Sequence, residues 1–110
     1  MVQAEEQKVY KTPSVTVDAI VTKAKTDGSG GQEILLITRG KEPFMGSYAF
    51  PGGFVDYGED PKVGVLRELQ EECTVEGCEP ELITVAGRPD RDPRKHVITI
   101  AYAVAVDPNA

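Results

Sequence analysis

One short run restricts the fold more than any other. From Pro61 to Cys73 the residues PKVGVLRELQEEC set apolar side chains at helical spacing, whereas the segments on either side alternate as strands do. Asp60 can cap the free amides of such a helix, and Pro61 suits its first position. Val63, Leu66, Leu69 and Cys73 fall within an arc of roughly 120°, the width of a core-facing stripe. A helix with one apolar stripe needs a partner surface, and the flanking segments supply a sheet. Alternation predicts a long strand over Ser14 to Lys23, a second over Glu33 to Arg39 paired with it, and two more over Glu81 to Arg88 and His96 to Val106. TDGSGG is a reversal, GKEPFMGSY a loop, and AFPGGF a short extended piece ending in a glycine turn. Strands, then a helix, then strands describe an α+β domain: a mixed β-sheet with helical cover.

The totals narrow the function. With 110 residues there is room for one domain, read here as residues 13–110 behind a polar leader, residues 1–12. A formal net charge of −6 disfavours nucleic acid and anionic membrane as partners. No apolar run approaches the ~20 residues that span a bilayer. The N-terminus lacks the apolar segment of a secretory signal, so the expected location is cytoplasmic. Cys73 and Cys78 have neither zinc nor redox spacing and are read as reduced, Cys73 facing the core.

The other side of the helix is acidic. Glu68, Glu71 and Glu72 stand at i, i+3 and i+4, placed by the wheel roughly opposite the apolar stripe, so their carboxylates can converge. Such crowding is repulsive unless a cation reverses the sign. Hard, oxygen-seeking Mg²⁺, or Mn²⁺ as its substitute, fits an all-carboxylate set completed by water and substrate phosphates. Taken alone, the three glutamates read more readily as a solvated acidic face.

The surrounding residues weigh against that plainer reading. GFVDYGEDPKVGVLRELQEECTV, Gly53 to Val75, resembles the Nudix box: Gly, five residues, Glu, seven residues, Arg-Glu, an aliphatic, any residue, Glu-Glu, any residue, Gly, an aliphatic. Thr74 stands where the pattern has Gly; every other specified position matches. TPSVTVDAIV, EILLITRGKEPFMGSYAFPGGFVDYGE and RPDRDPRKHVITIAY extend the similarity to the ADP-ribose pyrophosphatase branch of that family, from about Thr12 to Val106.

The resemblance implies an α/β/α sandwich whose usual C-terminal strand and helix are missing from this chain, leaving a sheet face that would favour a homodimer. It implies Mg²⁺-dependent hydrolysis of a nucleoside diphosphate linked to another moiety, with ADP-ribose giving AMP and ribose 5-phosphate. Glu68, Glu71 and Glu72 would hold the metals, with the Gly53 carbonyl as an added ligand. Arg67 would orient a neighbouring glutamate, and Glu59 would be an outer member of the acidic cluster. The general base would be a box glutamate, Glu71 or Glu72, or a carboxylate on a distant loop. The alternative is a non-catalytic relative that binds nucleotide sugars as a sensor.

Arg39, Arg91 and Arg94 are the expected substrate contacts, since guanidinium suits bidentate phosphate recognition; Arg88 is a further candidate. Phe44 and Tyr48 either stack on a base or, the preferred reading, pack in the core or loop. His96, the sole histidine, is structural. Gly52 and Gly53 let backbone turn tightly and approach a metal. Thr74 in a helix exit of positive φ would cost about 1–2 kcal/mol, and Gly77 is the alternative helix stop.

Overall fold

A computed structural model describes residues 11–107. Of the expected leader, all but Lys11 and Thr12 falls outside the described residues. The elements run β1 (Ser14–Ile20), β2 (Thr22–Ala24), β3 (Gln32–Ile34), β4 (Ile37–Thr38), β5 (Tyr48–Ala49), β6 (Gly52–Phe54), α1 (Pro61–Cys73), β7 (Gly77–Ala86) and β8 (Val97–Val106). Four strands form a mixed sheet in the order β6-β1-β8-β7. β1 lies parallel to β8 and antiparallel to β6, and β7 lies antiparallel to β8. The remaining strands make two short antiparallel ribbons, β2 with β3 and β4 with β5. No described helix is long and apolar enough to cross a membrane.

The expected long strands are interrupted. Ser14 to Lys23 divides at Val21, which is buried and whose carbonyl accepts from Leu35 N at 2.9 Å. Glu33 to Arg39 divides into β3, which pairs with β2 as anticipated, and β4, which pairs with β5 instead. Gly52 and Gly53 lie within a strand: Asp18 faces Gly52 and Val17 faces Gly53. Glycine is needed at the first of these because a Cβ on Gly52 would collide with the Val17 carbonyl and come within 2.8 Å of Asp18 Oδ1.

α1 covers one face of the sheet. Asp60 caps it, its Oδ1 accepting from Lys62 N at 2.9 Å, and Pro61 opens it. Its buried residues are Gly64, Val65 and Leu69, packed against Val17, Ala19, Tyr102 and Val104. Leu66 and Cys73 flank that core, but Val63, assigned to the stripe from the wheel, is 57% exposed. Exchanging Val63 for Val65 turns the buried stripe by roughly 50° toward Glu68 and Glu72. Glu68 and Glu72 therefore border the packed face, while Glu71, 58% exposed, stays opposite it. The second helix of a sandwich has no counterpart among the described residues; Leu82, Ile83 and Val85 of β7 are exposed.

The helix stops at Cys73, and Gly77 does not end it. Thr74 itself takes the left-handed conformation, φ 56° and ψ 35°, and its N–H donates to Gln70 O at 2.9 Å. Gly77 instead begins β7, where a Cβ would run into Val104 and crowd Leu69. A β-branched residue in the left-handed region is strained, and glycine removes that strain at some entropic cost. Thr74→Gly is therefore expected to raise unfolding stability by about 1 kcal/mol, read as a higher urea midpoint at unchanged m.

Candidate active site

β6, the turn before α1 and α1 itself place Gly52, Gly53, Glu59, Arg67, Glu68, Glu71 and Glu72 side by side. Gly53 leaves open the space that the Glu68 carboxylate fills: a Cβ there would sit 2.7 Å from Glu68 Oε1 and 2.8 Å from Oε2. One turn further on, Glu72 Oε1 accepts from Gly52 N at 2.7 Å. Two carboxylates from one helix edge thus clasp the double glycine.

Arg67 organises the rest. Its Nε donates to Glu59 Oε2 at 2.8 Å and its Nη2 to Glu59 Oε1 at 3.0 Å, a two-pronged pair. Nη1 donates to Glu68 Oε1 at 2.9 Å and to Glu71 Oε2 at 3.2 Å. Nη2 also reaches the Phe54 carbonyl at 3.1 Å, and Asp56 lies 3.7 Å away. The side chains of Glu59 and Glu68 are only 13% and 14% exposed, whereas Glu71 is 58% exposed. Glu59 Oε1 accepts in addition from Asp56 N at 3.1 Å, which fixes the turn before the helix.

The expected convergence of three carboxylates is not what the side chains adopt. Among the described residues no three acidic, histidine or cysteine groups are gathered at metal-ligating separation. The physical reason is Arg67, whose positive charge draws Glu68 and Glu71 to itself while Glu72 turns to the Gly52 amide. The donor set nevertheless fits a hard divalent cation: it is all oxygen, it borders a glycine strand that backbone or ion can approach, and Glu71 keeps an open side. Burial holds the Glu72 carboxyl above its ordinary pKa; Glu68 and Glu71 add to the rise, and the Gly52 amide and Arg39 oppose it. That mutual repulsion is the kind a cation relieves.

Arg39, Arg91 and Arg94 come together in a second place. They line a cleft of about 310 Å³ between the β4–β5 loop with β5 on one side and loop 91–94 on the other. Arg39 joins it to the glutamates, being near enough to Glu72 to lower its pKa. Arg94 joins it to β6, its guanidinium 5.5 Å from the centre of the Phe54 ring. Arg88 lies outside this cleft and pairs with Asp90 at 2.7 Å. Phe44 and Tyr48 line the cleft too; they are 64% and 77% exposed, so the packing reading preferred for them fails. His96 Nε2 pairs with the Gly87 carbonyl at 2.8 Å, a contact that joins the residue after β7 to the residue before β8.

Sequence reasoning passed over Asp18. It lies on β1 directly opposite Gly52, and burial raises its pKa against the opposing pull of Arg91. The signal was available: Val17 and Ala19 point to the core, so a charged residue between them must occupy the other face.

A mixed sheet, one covering helix and a carboxylate-clasped glycine strand define a small α+β domain with an acidic edge site. A family model described as the NUDIX domain matches residues 12–110, and the chain belongs to the NUDIX family. It is 40% identical over 102 residues to the ADP-ribose pyrophosphatase of Methanocaldococcus jannaschii, covering 93% of this chain and 56% of that protein. The chain thus spans little more than half the length of that relative. It is similar to the crystal structure of a MutT/nudix family protein from Enterococcus faecalis, with a TM-score of 0.82, 35% identity, and coverage of 93% of this chain and 42% of that one. It is also similar to the NUDIX domain of Shewanella oneidensis NrtR complexed with ADP ribose, with a TM-score of 0.76, 28% identity, and coverage of 96% and 76%.

The Arg67 pair has a consequence for acid stability. Its hydrogen bonds lead the causes that pull the Glu59 pKa down from 4.5 to about 2. A carboxyl depressed on folding stabilises above its unfolded pKa and loses that contribution as pH falls through the folded one. The contribution is therefore complete above pH 4.5 and disappears between 4.5 and about 2. Glu59→Gln is expected to flatten the stability curve over that window, measured by urea unfolding at a series of pH values.

Proposed function

We propose that this chain hydrolyses a nucleoside diphosphate linked to another moiety, with ADP-ribose as substrate and AMP and ribose 5-phosphate as products. The observation that carries the reading is the double-glycine strand held between Glu68 and Glu72, with Arg67 bracing Glu59, Glu68 and Glu71. The identity shared with an ADP-ribose pyrophosphatase supports it. Glu68, Glu71, Glu72 and the Gly53 carbonyl would hold Mg²⁺, for which Mn²⁺ can substitute. Once bound, the cation neutralises pyrophosphate charge, acidifies a water and stabilises the leaving oxygen.

The chain's own residues do the remainder. Water attacks phosphorus, a phosphorus–oxygen bond of the diphosphate breaks, and the water proton passes to a carboxylate. Glu71 and Glu72 are the carboxylates proposed for that proton; the Glu71 side chain is 58% exposed, and burial raises the Glu72 carboxyl above its ordinary pKa. Arg67 keeps Glu68 and Glu71 from drifting apart. The arginine cleft beside them receives the rest of the substrate.

A second reading has one observation in its favour, the similarity to an NrtR domain crystallised with ADP ribose. On that reading the chain binds ADP-ribose without cleaving it. The complete set Glu59, Arg67, Glu68, Glu71 and Glu72 argues for turnover instead.

The test is incubation with Mg²⁺ and a panel of nucleoside diphosphate compounds, following AMP and sugar phosphate. ADP-ribose is expected to be cleaved, and Glu71→Gln to lower kcat/KM by about three decades. Folded protein that turns over no member of the panel would overturn the proposal. Tight ADP-ribose binding by calorimetry with no AMP released would establish the second reading in its place.

A further inference from the structure

Phe54 is an aromatic residue that the core does not use. It stands on β6 beside Gly53, is 42% exposed, and has no place in the apolar cluster under α1. A Cβ on Gly53 would point at Glu68, so the next side chain along the strand projects from the opposite face of the sheet. On that side the Arg94 guanidinium carbon lies 5.5 Å and the Lys95 ammonium 5.4 Å from the centre of the Phe54 ring, both within cation–π reach. Two cations over one ring repel each other, but Asp92 answers the charge of Arg94, accepting from its Nε at 3.1 Å and from its Nη2 at 2.8 Å. Lys95 is exposed and has no acidic partner among the described residues, so the ring is its counterpart.

These contacts complete a row across the sheet. Thr16 of β1 stands opposite Phe54 of β6 on one side and opposite Thr99 of β8 on the other. Thr16 Oγ1 and Thr99 Oγ1 pair at 2.7 Å. Arg91 Nη2 donates to Thr99 Oγ1 at 2.7 Å and to the Val97 carbonyl at 3.1 Å. Loop 88–95 is thus tied twice: Arg91 fastens it to β8, while Arg94 and Lys95 reach over β1 to the ring on β6. The backbone of Phe54 serves the other side of the strand. Its carbonyl accepts from Arg67 Nη2 at 3.1 Å, within the network that holds Glu59, Glu68 and Glu71. Loop and acidic edge therefore meet at a single residue.

Resting on the reading of the chain as a nucleoside diphosphate hydrolase, we propose that Phe54 is a positioning residue: its ring anchors loop 88–95, through Arg94 and Lys95, at a set distance from the acidic edge that its carbonyl helps to brace. Phe54 touches no reacting atom. Two cations over a partly exposed ring favour the anchored loop by about tenfold in population. Loss of the ring removes an interaction that substrate and transition state share, which raises KM and spares kcat. Replacing the side chain leaves the Phe54 carbonyl, and with it the Arg67 contact, in place.

The first measurement needs neither substrate nor metal. Methylene protons next to a cation that lies over an aromatic face are shifted upfield by the ring current. Proton NMR of the unliganded protein is expected to show such shifts for Arg94 Hδ and Lys95 Hε, lost in Phe54→Leu and kept in Phe54→Tyr. The second measurement follows hydrolysis of ADP-ribose with Mg²⁺. Phe54→Leu should raise KM by about three- to tenfold with kcat changed by less than about twofold, and Phe54→Tyr should keep the wild-type KM. A role confined to stability would lower the folded fraction and leave KM alone. Far-UV circular dichroism checks the fold of each variant. Should Phe54→Leu fail to fold, Lys95→Gln, an exposed substitution, decides the matter, with an expected rise in KM of about two- to threefold.

Wild-type protein without the methylene shifts, a folded Phe54→Leu with wild-type KM, or a Phe54→Tyr no better than Phe54→Leu would each overturn the assignment. So would Lys95→Gln with wild-type KM. Turnover by the wild type without the methylene shifts removes the anchor and leaves the reaction standing; methylene shifts without turnover of any nucleoside diphosphate compound do the reverse.

Discussion

The guanidinium of Arg67 is the interaction on which the rest depends. A chain with a net charge of −6 concentrates Asp56, Glu59, Glu68, Glu71 and Glu72 around one turn and one helix edge. Left to themselves these carboxylates would separate, since like charges at i, i+3 and i+4 repel. Arg67 meets Glu59 with two bonds, Glu68 and Glu71 with one each, and the Phe54 carbonyl with a fifth. Acids on the turn and acids on the helix thereby become one network. Low exposure of Glu59 and Glu68, 13% and 14%, keeps water from dissolving it. The same bonds raise the arginine pKa above its ordinary value, Glu59 contributing most.

That network is positioned by packing, not by charge. Val17 and Ala19 on β1 meet Val65 and Leu69 on α1, all four at 0% exposure. Their contact fixes the height of the helix over the sheet. The β1–β6 register then sets Gly52 and Gly53 beneath the helix edge, where Glu72 reaches the Gly52 amide and Glu68 fills the gap beside Gly53. Even one methyl group on Gly53 would push against the Glu68 carboxylate, so the absence of a side chain there is part of the site's geometry. Core and site share the helix: Leu69 faces inward between Glu68 and Gln70, and the acidic edge begins where the apolar stripe ends.

Much of this was legible in the residues, where the signal is local. Asp60 and Pro61 mark the helix start as the structure has it, and Cys73 its end. The left-handed turn at Thr74 follows from a pattern position that calls for glycine. The helical wheel failed on Val63 because hydrophobicity alone does not say which of Val63 and Val65 meets the sheet; the height and tilt of the helix decide that, and both come from β1 and β8. Strand interruption at Val21 was hidden for a similar reason: alternation continues through the break, while pairing passes from β6 and β8 to β3. The exposed rings of Phe44 and Tyr48 were misread since an aromatic in a loop usually packs, and only the cleft formed with distant Arg91 and Arg94 gives them another surface to present. Asp18 belongs to the same class, a residue whose meaning depends on the strand opposite it.

The central claim is that this acidic edge grips divalent cations. Paramagnetic resonance of free Mn²⁺ during titration counts bound ions directly and requires neither substrate nor turnover. Wild-type protein is predicted to take up Mn²⁺ saturably, and the Glu68→Gln, Glu72→Gln double variant to bind at least about tenfold more weakly while keeping its fold. Identical Mn²⁺ uptake by both proteins, or none by either, would contradict the account.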